Sequence, residues 1–476
     1  MRKIFTYYPA FILLLFCGRL CAQEASLFPE TADTSLLPPQ ARYIVGEIHI
    51  SGNKKTKASI ILREIPLHTG DSYSLQELVK KFEDARRQLM NSTLFHHVLV
   101  AAKGFRGYVV DITVQVRERW YLFPMPYLKP VDRNLNQWLV EQKASLSRVN
   151  YGVKFHFNNA TGHNDKVRLW LMSGYTRQVS FSYDRLYVDK AMKWGMKTGF
   201  SLGKNRELNY NTINDKQVFL KENNQFLRNF YNAFAELTYR RAIRARHSFG
   251  IGFTSEEVGD TIVKLNPQYF EAGRKRIRFP EIYYNMVYYD VDYIPYPTQG
   301  FAAQVQLSKK GLNAENNLWQ LNLKGLRSWA LSPRSFLGLS AYAGLKLPFR
   351  QPYYNKRFLG YGTTFMQGYE YYVVDGVAGG YLNASFTREL LSFGFRLPMK
   401  GVTTNYVPIR IFGKVFGNSG YVHNPRPGEN ILSNRWLHSA GVGIDILTLY
   451  DVIIRLEYSF NQLGQNGLYL HRRNIF

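Results

Sequence analysis

The chain has 476 residues and carries 61 Lys and Arg against 35 Asp and Glu, a formal net charge of +26. Aromatic residues make up 15% of it, and the mean hydropathy is −0.28. The one long apolar run lies at the N-terminus, so the composition excludes a protein built from membrane-spanning helices. Abundant aromatic residues and glycine at neutral hydropathy are instead typical of a transmembrane β-barrel, because half of each strand faces water.

Residues 1–22 have the pattern of a secretory signal peptide. A basic start is followed by an apolar stretch at 10–16, and Ala22 is a suitable last residue before cleavage. The apolar stretch is far shorter than the roughly 20 residues of a spanning helix, so a retained anchor is the weaker alternative. Cleavage there removes Cys17 and Cys21, the two cysteines of the chain, and leaves neither disulfides nor thiolate metal ligands.

The basic charge favours anionic partners. Removal of the three basic residues of the signal segment lowers the net charge only from +26 to +23. Nucleic acid is one anionic partner, but a secreted protein seldom meets it, and we expect none. Anionic lipid headgroups of the outer membrane, including the phosphates of lipopolysaccharide, are the expected partners.

Residues 42–120 predict one small α+β domain, which follows a proline-containing, flexible lead-in at 23–41. Ser74 and Glu77 have the spacing of a capping box and open an amphipathic helix. Period-two alternation predicts a strand before the helices and two strands after them. The predicted elements are a strand around 44–50, a short helix at 57–64, the helix from 74, and strands at 95–101 and 108–118.

Residues 121–476 alternate apolar and polar side chains with period two to the end of the chain. In one such stretch Phe249, Ile251 and Phe253 alternate with serine and glycine. In a barrel the apolar set of each strand faces lipid and the polar set faces the lumen. At roughly 22 residues per strand and connection, this length accommodates about 16 antiparallel strands. The predicted fold class is therefore mainly β, a transmembrane barrel behind one small α+β domain.

The order β-α-α-β-β in 42–120, with Ile-Ser-Gly-Asn at 50–53, Thr56 and Gly70, resembles a POTRA (polypeptide-transport-associated) domain. A POTRA domain followed by a C-terminal barrel resembles the BamA/TamA-like superfamily of outer-membrane assembly and secretion proteins. A single POTRA domain with long Tyr-rich segments is most similar to the Bacteroidota members. The alternative for the first domain is an unrelated small α+β fold.

Several barrel positions are similar to motifs of this family. One set resembles its Asp/Pro/Gly hairpin, another its penultimate-strand signature, and the last residue resembles the terminal aromatic of its sorting signal. These positions are Asp290, Asp292, Pro297 and Gly300 for the hairpin, Gly441 to Asp445 for the strand signature, and Phe476 for the terminus.

The family's lumen loop has an Arg-Gly-Phe or Arg-Gly-Tyr core whose arginine pairs with the Asp of a Phe-x-Asp-x-Gly motif. Here the matching positions are Gln367, Gly368 and Tyr369 for the loop, and Asn418 and Gly420 for its partner. Both charged members are replaced by amides. We expect Gln367 and Asn418 to touch through neutral hydrogen bonds, each of about 1 kcal/mol, in a weaker and salt-insensitive link. The alternative is that both positions drifted independently.

No motif of an enzyme, metal site or cofactor is recognised in the sequence. The histidines are scattered, so we expect no metal site. Asp290 and Asp292 lie two residues apart, as acid–base carboxylates can, but their position beside a Pro/Gly turn favours a structural role.

The resemblance implies a non-enzymatic factor in the bacterial outer membrane, with its POTRA domain in the periplasm. It would insert unfolded outer-membrane proteins or translocate secreted proteins or lipids, using the POTRA domain for clients and accessory lipoproteins and a weak lateral seam in the barrel. A passive porin-like or structural barrel is the alternative. A dedicated two-partner secretion pore is a third, which we rank last because residues 23–41 are too short for a plug helix.

Overall fold

The computed structural model describes residues 41–130, 138, 143, 149–174, 176–222, 225–313, 316–396 and 406–472. The predicted signal peptide, nearly all of the lead-in and Phe476 therefore lie outside the described residues. None of the helices in these ranges combines the length and apolar character needed to cross a bilayer.

The first domain is a four-stranded sheet covered by two helices. Ser74 Oγ accepts a hydrogen bond from the amide of Glu77, and the Glu77 carboxylate accepts one from the amide of Ser74, so the predicted capping box forms. The sheet order is β2-β1-β4-β3, which leaves β3 as an outer strand. The elements are β1 (Arg42–Ser51), α1 (Ala58–Glu64), β2 (Ser72–Ser74), α2 (Leu75–Asn91), β3 (Phe95–Arg106) and β4 (Val109–Glu118).

The sequence pattern missed one strand here. The three residues of β2 pair with the start of β1 between the two helices, so the element order is β-α-β-α-β-β. A three-residue strand is too short for a period-two pattern. Val110, Ile112 and Val114 alternate with polar residues along β4 and are fully buried in the core of this domain.

Sixteen strands of the second domain form one antiparallel sheet that runs from β5 to β24, as the length predicted. Two further strand pairs, β10–β11 and β18–β19, lie outside this sheet in connections. The strands are β5 (Leu122–Pro130), β6 (Val149–Asn158), β7 (Lys166–Gly174), β8 (Thr176–Arg185), β9 (Trp194–Asn205), β10 (Glu207–Ile213), β11 (Lys216–Lys221), β12 (Arg228–Tyr239), β13 (Ala245–Val258), β14 (Arg276–Val291), β15 (Gly300–Asn313), β16 (Asn316–Ser332), β17 (Ser335–Leu347), β18 (Arg357–Leu359), β19 (Val374–Asp375), β20 (Ala378–Arg396), β21 (Tyr406–His423), β22 (Trp436–Leu447), β23 (Ile453–Asn461) and β24 (Asn466–Arg472).

The predicted alternation is present on this sheet. Phe249, Ile251 and Phe253 point outward and are exposed, whereas Ser248 on the opposite face is buried. An apolar outer face and a polar inner face are the reverse of a soluble sandwich and fit a membrane barrel.

The two ends of the barrel differ. At the near end, where the chain enters from the α+β domain, the connections that the structure describes are turns of at most eight residues. At the far end several connections are longer, and two of them carry the strand pairs β10–β11 and β18–β19. Two short helices also lie there, α3 (Asp260–Leu265) and α4 (Tyr353–Lys356). Period two gave no indication of these insertions, because their strand pairs alternate as barrel strands do and their helices have only 6 and 4 residues.

Candidate functional site

The connection between β17 and β20, residues 348–377, folds back into the barrel lumen. Gly368 lies against the inner wall with φ +88°, and a Cβ there would approach the Ser439 Cβ to 2.7 Å. The side-chain amide of Asn461 donates to the Gly368 carbonyl at 2.7 Å. A left-handed backbone in so close an approach favours glycine.

Gln367 binds the inner wall through several groups. Its side-chain oxygen accepts a hydrogen bond from Asn383 at 2.9 Å, and the same Asn383 amide donates to Asn418 Oδ1 at 2.7 Å. Asn418 Nδ2 lies 3.4 Å from the Gln367 backbone carbonyl, which also accepts from the Ser439 hydroxyl. Gln367 Nε2 donates to the carboxylate of Glu457.

Gln367 and Asn418 are linked mainly through a third residue, Asn383. The two residues lie side by side, but their side chains are joined through Asn383, and the direct hydrogen bond runs from Asn418 to the Gln367 backbone. The amide of Gln367 also binds Glu457. Gln367 is therefore held by neutral bonds and by one charge-assisted bond, which differs from the purely neutral link expected from the sequence.

Glu457 belongs to a buried ionic cluster that we call the lumen cluster: Lys414 of β21, Asp445 of β22, and Arg455 and Glu457 of β23. Lys414 Nζ lies 2.8 Å from Asp445 and 2.5 Å from Glu457. Arg455 Nε lies 3.0 Å from Asp445 and 3.5 Å from Glu457. Two cations balance two carboxylates, which offsets much of the cost of taking them out of water.

A second segment reaches the lumen cluster from the near end. The Tyr296 hydroxyl, in the turn between β14 and β15, donates to Asp445 at 3.0 Å, and its ring packs on Phe412 with centroids 4.6 Å apart. A cavity of about 290 Å³ lies between this turn and the lumen loop. Segments from both ends thus occupy the lumen and converge on one charged cluster.

The residues of the predicted Asp/Pro/Gly hairpin organise this same turn. The Asp292 carboxylate accepts hydrogen bonds from the backbone amides of Thr298 and Gln299 and from the Thr298 hydroxyl. Pro297 contributes a carbonyl that accepts from the Ser328 hydroxyl at 3.2 Å.

Asp290 has a separate partner, since it pairs with Arg244 of the neighbouring turn at 2.9 Å. Gly300 has φ +112°, and a Cβ there would lie 2.1 Å from the Asp290 carbonyl. These contacts give Asp290 and Asp292 positions in a turn, with no shared carboxylate site between them.

One motif assignment was wrong. Gly441 to Asp445 was matched to a penultimate-strand signature, but it lies on β22, and both β23 and β24 follow. The segment is therefore on the third strand from the end of the sheet.

The α+β domain is docked on the near end through buried polar contacts. Arg240, in the turn after β12, forms a two-pronged ion pair with Glu64 of α1, with one bond of 2.8 Å, and also contacts the Tyr187 hydroxyl. Burial raises the pKa of Glu64, but the charge and hydrogen bonds of Arg240 outweigh it and hold that pKa below its usual 4.5. The structure thus favours the charged pair at this junction.

A second clamp joins the domain to the turn between β22 and β23. Arg119, directly after β4, pairs with Asp451 at 2.6 Å, and the Tyr293 hydroxyl donates to the same carboxylate. Asn91, at the end of α2, accepts from the amide of Ile294 at 2.9 Å. Burial, with Asp451 as neighbour, raises the pKa of Tyr293, so this hydroxyl stays protonated and remains a donor.

The first and last strands of the sheet, β5 and β24, lie at its two ends, and no ladder joins them within the described residues. The Tyr121 carbonyl accepts a hydrogen bond from the amide of Asn158. The backbone N–H and C=O groups of the odd-numbered residues of β5 therefore point toward β6. At the even-numbered positions the backbone groups point to the other edge of β5, and Pro124 and Pro126 supply no N–H donor there. The edge of β5 that faces β24 lacks two backbone donors.

The lumen loop also contacts β24 from inside. The Glu370 carboxylate lies 3.2 Å from His471 Nε2, and the rings of Tyr371 and Tyr469 lie 5.6 Å apart. The last strand is thereby held by side chains of the loop as well as by its ladder to β23.

Sequence reasoning identified Gln367 and Asn418 but missed the lumen cluster and both docking clamps. Arg455 and Glu457 alternate with apolar residues along their strand, which is a sequence signal for a lumen position. Their partners on other strands depend on register, and no sequence pattern fixes it. No group of three or more His, Cys, Asp or Glu suited to a metal ion occurs among the residues that the structure describes.

Comparison with known proteins agrees with this architecture. Residues 43–119 match the family model of POTRA, described as "Surface antigen variable number repeat". Over 78 residues the chain is 33% identical to the outer membrane protein assembly factor BamA of Neorickettsia risticii (strain Illinois), a match that spans 16% of this chain and 10% of that relative. The first domain is a POTRA domain.

The whole chain is similar in fold to solved barrels. CdiB from Escherichia coli superposes with a TM-score of 0.52 at 11% identity, over 94% of this chain and 92% of CdiB. BamA from Haemophilus ducreyi lacking POTRA domains 1–3 superposes at 0.49 and 14% identity, over 90% and 83% of the two chains. The fold shared with CdiB consists of a POTRA-matching domain ahead of a 16-stranded antiparallel sheet.

Proposed function

We propose that this chain is a non-enzymatic outer-membrane factor that inserts or translocates unfolded proteins. The observation that carries the proposal is the edge between β5 and β24. Pro124 and Pro126 remove backbone donors from that edge, so closure there is weaker than at any full ladder. A weak lateral seam of this kind lets a client strand pair with the barrel edge before release into lipid.

The POTRA domain supplies the client-binding edge in this proposal. Strand β3 is the outer strand of its sheet, and Leu99 and Phe105 on it are 44% and 52% exposed. An extended client or an accessory lipoprotein adds to such an edge by backbone hydrogen bonds, with side-chain contacts for selectivity. The outer membrane and periplasm are the proposed locations of the barrel and of the POTRA domain.

The occupied lumen favours this function over a passive channel. Gln367 from the far end and Tyr296 from the near end both reach the lumen cluster, and the cavity between the two segments is about 290 Å³. A porin-like barrel requires a continuous aqueous path, as in water-filled porin lumens.

The test is reconstitution of the full chain in liposomes with an unfolded outer-membrane protein, followed by heat-modifiable gel mobility. We expect faster client folding than in empty liposomes. Protease protection of a secreted client inside the vesicles would assign translocation instead of insertion. Solute conductance without either activity would contradict the proposal and support the passive barrel.

A photo-crosslinking residue tests the edge directly. We expect a crosslinker at Leu99 on β3 to capture the client during folding. The matched control is Val79 on α2, which is 51% exposed but lies on a helix. Equal capture at both positions would contradict strand addition at β3.

A further inference from the structure

The outer wall of the barrel carries a basic band at the far end of strands β8, β9, β12, β13 and β14. Directly paired residues of antiparallel strands share one face of the sheet. The register therefore aligns five side chains across the five strands in a first row nearest the far end. This row is Arg177, Lys204, Asn229, Glu257 and Arg276.

The next row toward the near end mixes apolar and basic side chains. Leu202 and Tyr231 in it are 44% and 42% exposed, so the row lies on the outer face. This second row is Val179, Leu202, Tyr231, Ser255 and Arg278. A third row is apolar throughout: Phe181, Phe200, Ala233, Phe253 and Pro280.

The cations of this band are held close together. Arg177, Lys204 and Arg206 surround the ring of Phe226, with their charged groups 5.3, 5.8 and 5.2 Å from its centroid. Cation–π contact stabilises each of them, but it does not neutralise their mutual repulsion. An anion bound between the three cations would neutralise that repulsion.

Charges of the first two rows do not balance. Arg276 pairs with Glu257 at 2.6 Å. Within the part of the chain that the structure describes, no carboxylate lies within ion-pair distance of Arg177, Lys204 or Arg278. Four cations thus face one carboxylate around a groove of about 560 Å³.

We propose that this groove binds a membrane lipid with a phosphorylated headgroup. The first row and Arg278 contact the phosphate by charge-assisted hydrogen bonds, and the apolar rows below contact the acyl chains. The order of the rows, basic toward the barrel end and apolar toward its middle, matches the order of headgroup and acyl chain in a leaflet. The proposal rests on the proposed placement of the barrel in the outer membrane, where lipid A has this chemistry.

The test measures lipid binding by the purified full chain in phosphatidylcholine nanodiscs, without any client, so that its outcome is independent of assembly activity. The probe is bis-phosphorylated lipid A, counted by native mass spectrometry. We expect R177Q/K204Q/R278Q to weaken its binding by about tenfold or more, because three charge-assisted contacts are lost. All three side chains lie on the surface, and heat-modifiable mobility verifies the fold of the variant.

The matched control is K309Q/R327Q/R388Q, which removes the same charge from other outward positions. We expect its affinity for lipid A to stay within about twofold of the parent protein, since the groove is intact. An equal loss of affinity for lipid A in both variants would mean that net charge alone causes the effect, and it would contradict a specific site in the groove. If dephosphorylated lipid A binds as tightly as lipid A, the phosphate is not recognised and the proposed ligand is wrong. If an equal concentration of inorganic phosphate displaces lipid A, the groove binds free phosphate and not a lipid.

Discussion

The continuous wall of the barrel and its closing edge are held together by different interactions. At β20 and β21 the strands are 19 and 18 residues long and pair along their length. At the edge between β5 and β24 the described parts of the strands have 9 and 7 residues, and Pro124 and Pro126 supply no backbone donors on the facing side. Backbone ladders therefore hold the wall, whereas the edge depends on other parts of the molecule.

Those other parts are the POTRA domain and the lumen loop. On one side of the edge, Asn159 in the turn after β6 donates to Thr56 at 2.9 Å. On the other side, Asp451 in the turn before β23 pairs with Arg119. The POTRA domain thus bridges both flanks of the edge from outside the barrel, and Glu370 of the lumen loop contacts β24 from within.

The largest effect is expected when the wall itself loses a buried charge. Lys414→Met leaves Asp445 and Glu457 with Arg455 as their remaining cation in the lumen cluster. Removal of one partner of a buried pair costs about 3–5 kcal/mol. We expect a correspondingly lower midpoint of urea unfolding, measured by tryptophan fluorescence in detergent. Arg327→Gln on the outer face is the control, and an equal loss there would contradict a special role for the cluster.

The next effect concerns the POTRA clamp at Glu64. Glu64→Gln leaves Arg240 buried without its carboxylate, so we expect a loss of about 3 kcal/mol at neutral pH, measured by thermal unfolding. Because the folded pKa of Glu64 lies below 4.5, its contribution is present above that pH and is lost as the pH falls through the folded value.

The pH dependence separates this clamp from a simple packing defect. The difference between the parent protein and Glu64→Gln should be constant above pH 4.5 and shrink below it. Glu83→Gln, at an exposed position of α2, is the control. A difference that persists unchanged to pH 3 would rule out the ion pair as the source.

The third prediction concerns a double substitution that gives the edge of β5 the backbone donors that the other strands of the wall have. Pro124→Val with Pro126→Val restores two donors, at about 1 kcal/mol per hydrogen bond, which lowers the open population roughly 30-fold. We expect slower client folding in liposomes with unchanged binding of the client. The control is Pro280→Val on β14, away from the edge. Full activity of the double variant would contradict opening at this edge.

The sequence predicted local and periodic features and missed those that depend on register. The capping box at Ser74 was recognisable because its two partners are three residues apart. The count of 16 strands followed from alternation and length. The contact between Gln367 and Glu457 joins residues 90 positions apart through the pairing of several strands. Such long-range contacts follow from register and loop conformation, which alternation does not encode.

The smallest effect tests how the lumen loop is attached to the wall. Asn383→Ala removes the amide that joins Gln367 to Asn418, while the bond from Gln367 to Glu457 remains. A net loss of about 1 kcal/mol corresponds to roughly fivefold faster amide exchange in the loop, measured by hydrogen–deuterium exchange over residues 362–372. Asn322→Ala, on the inner wall, is the control. If exchange is unchanged in Asn383→Ala, the amide bridge contributes no measurable stability, and the loop is held by its remaining bonds, which include the charged bond from Gln367 to Glu457.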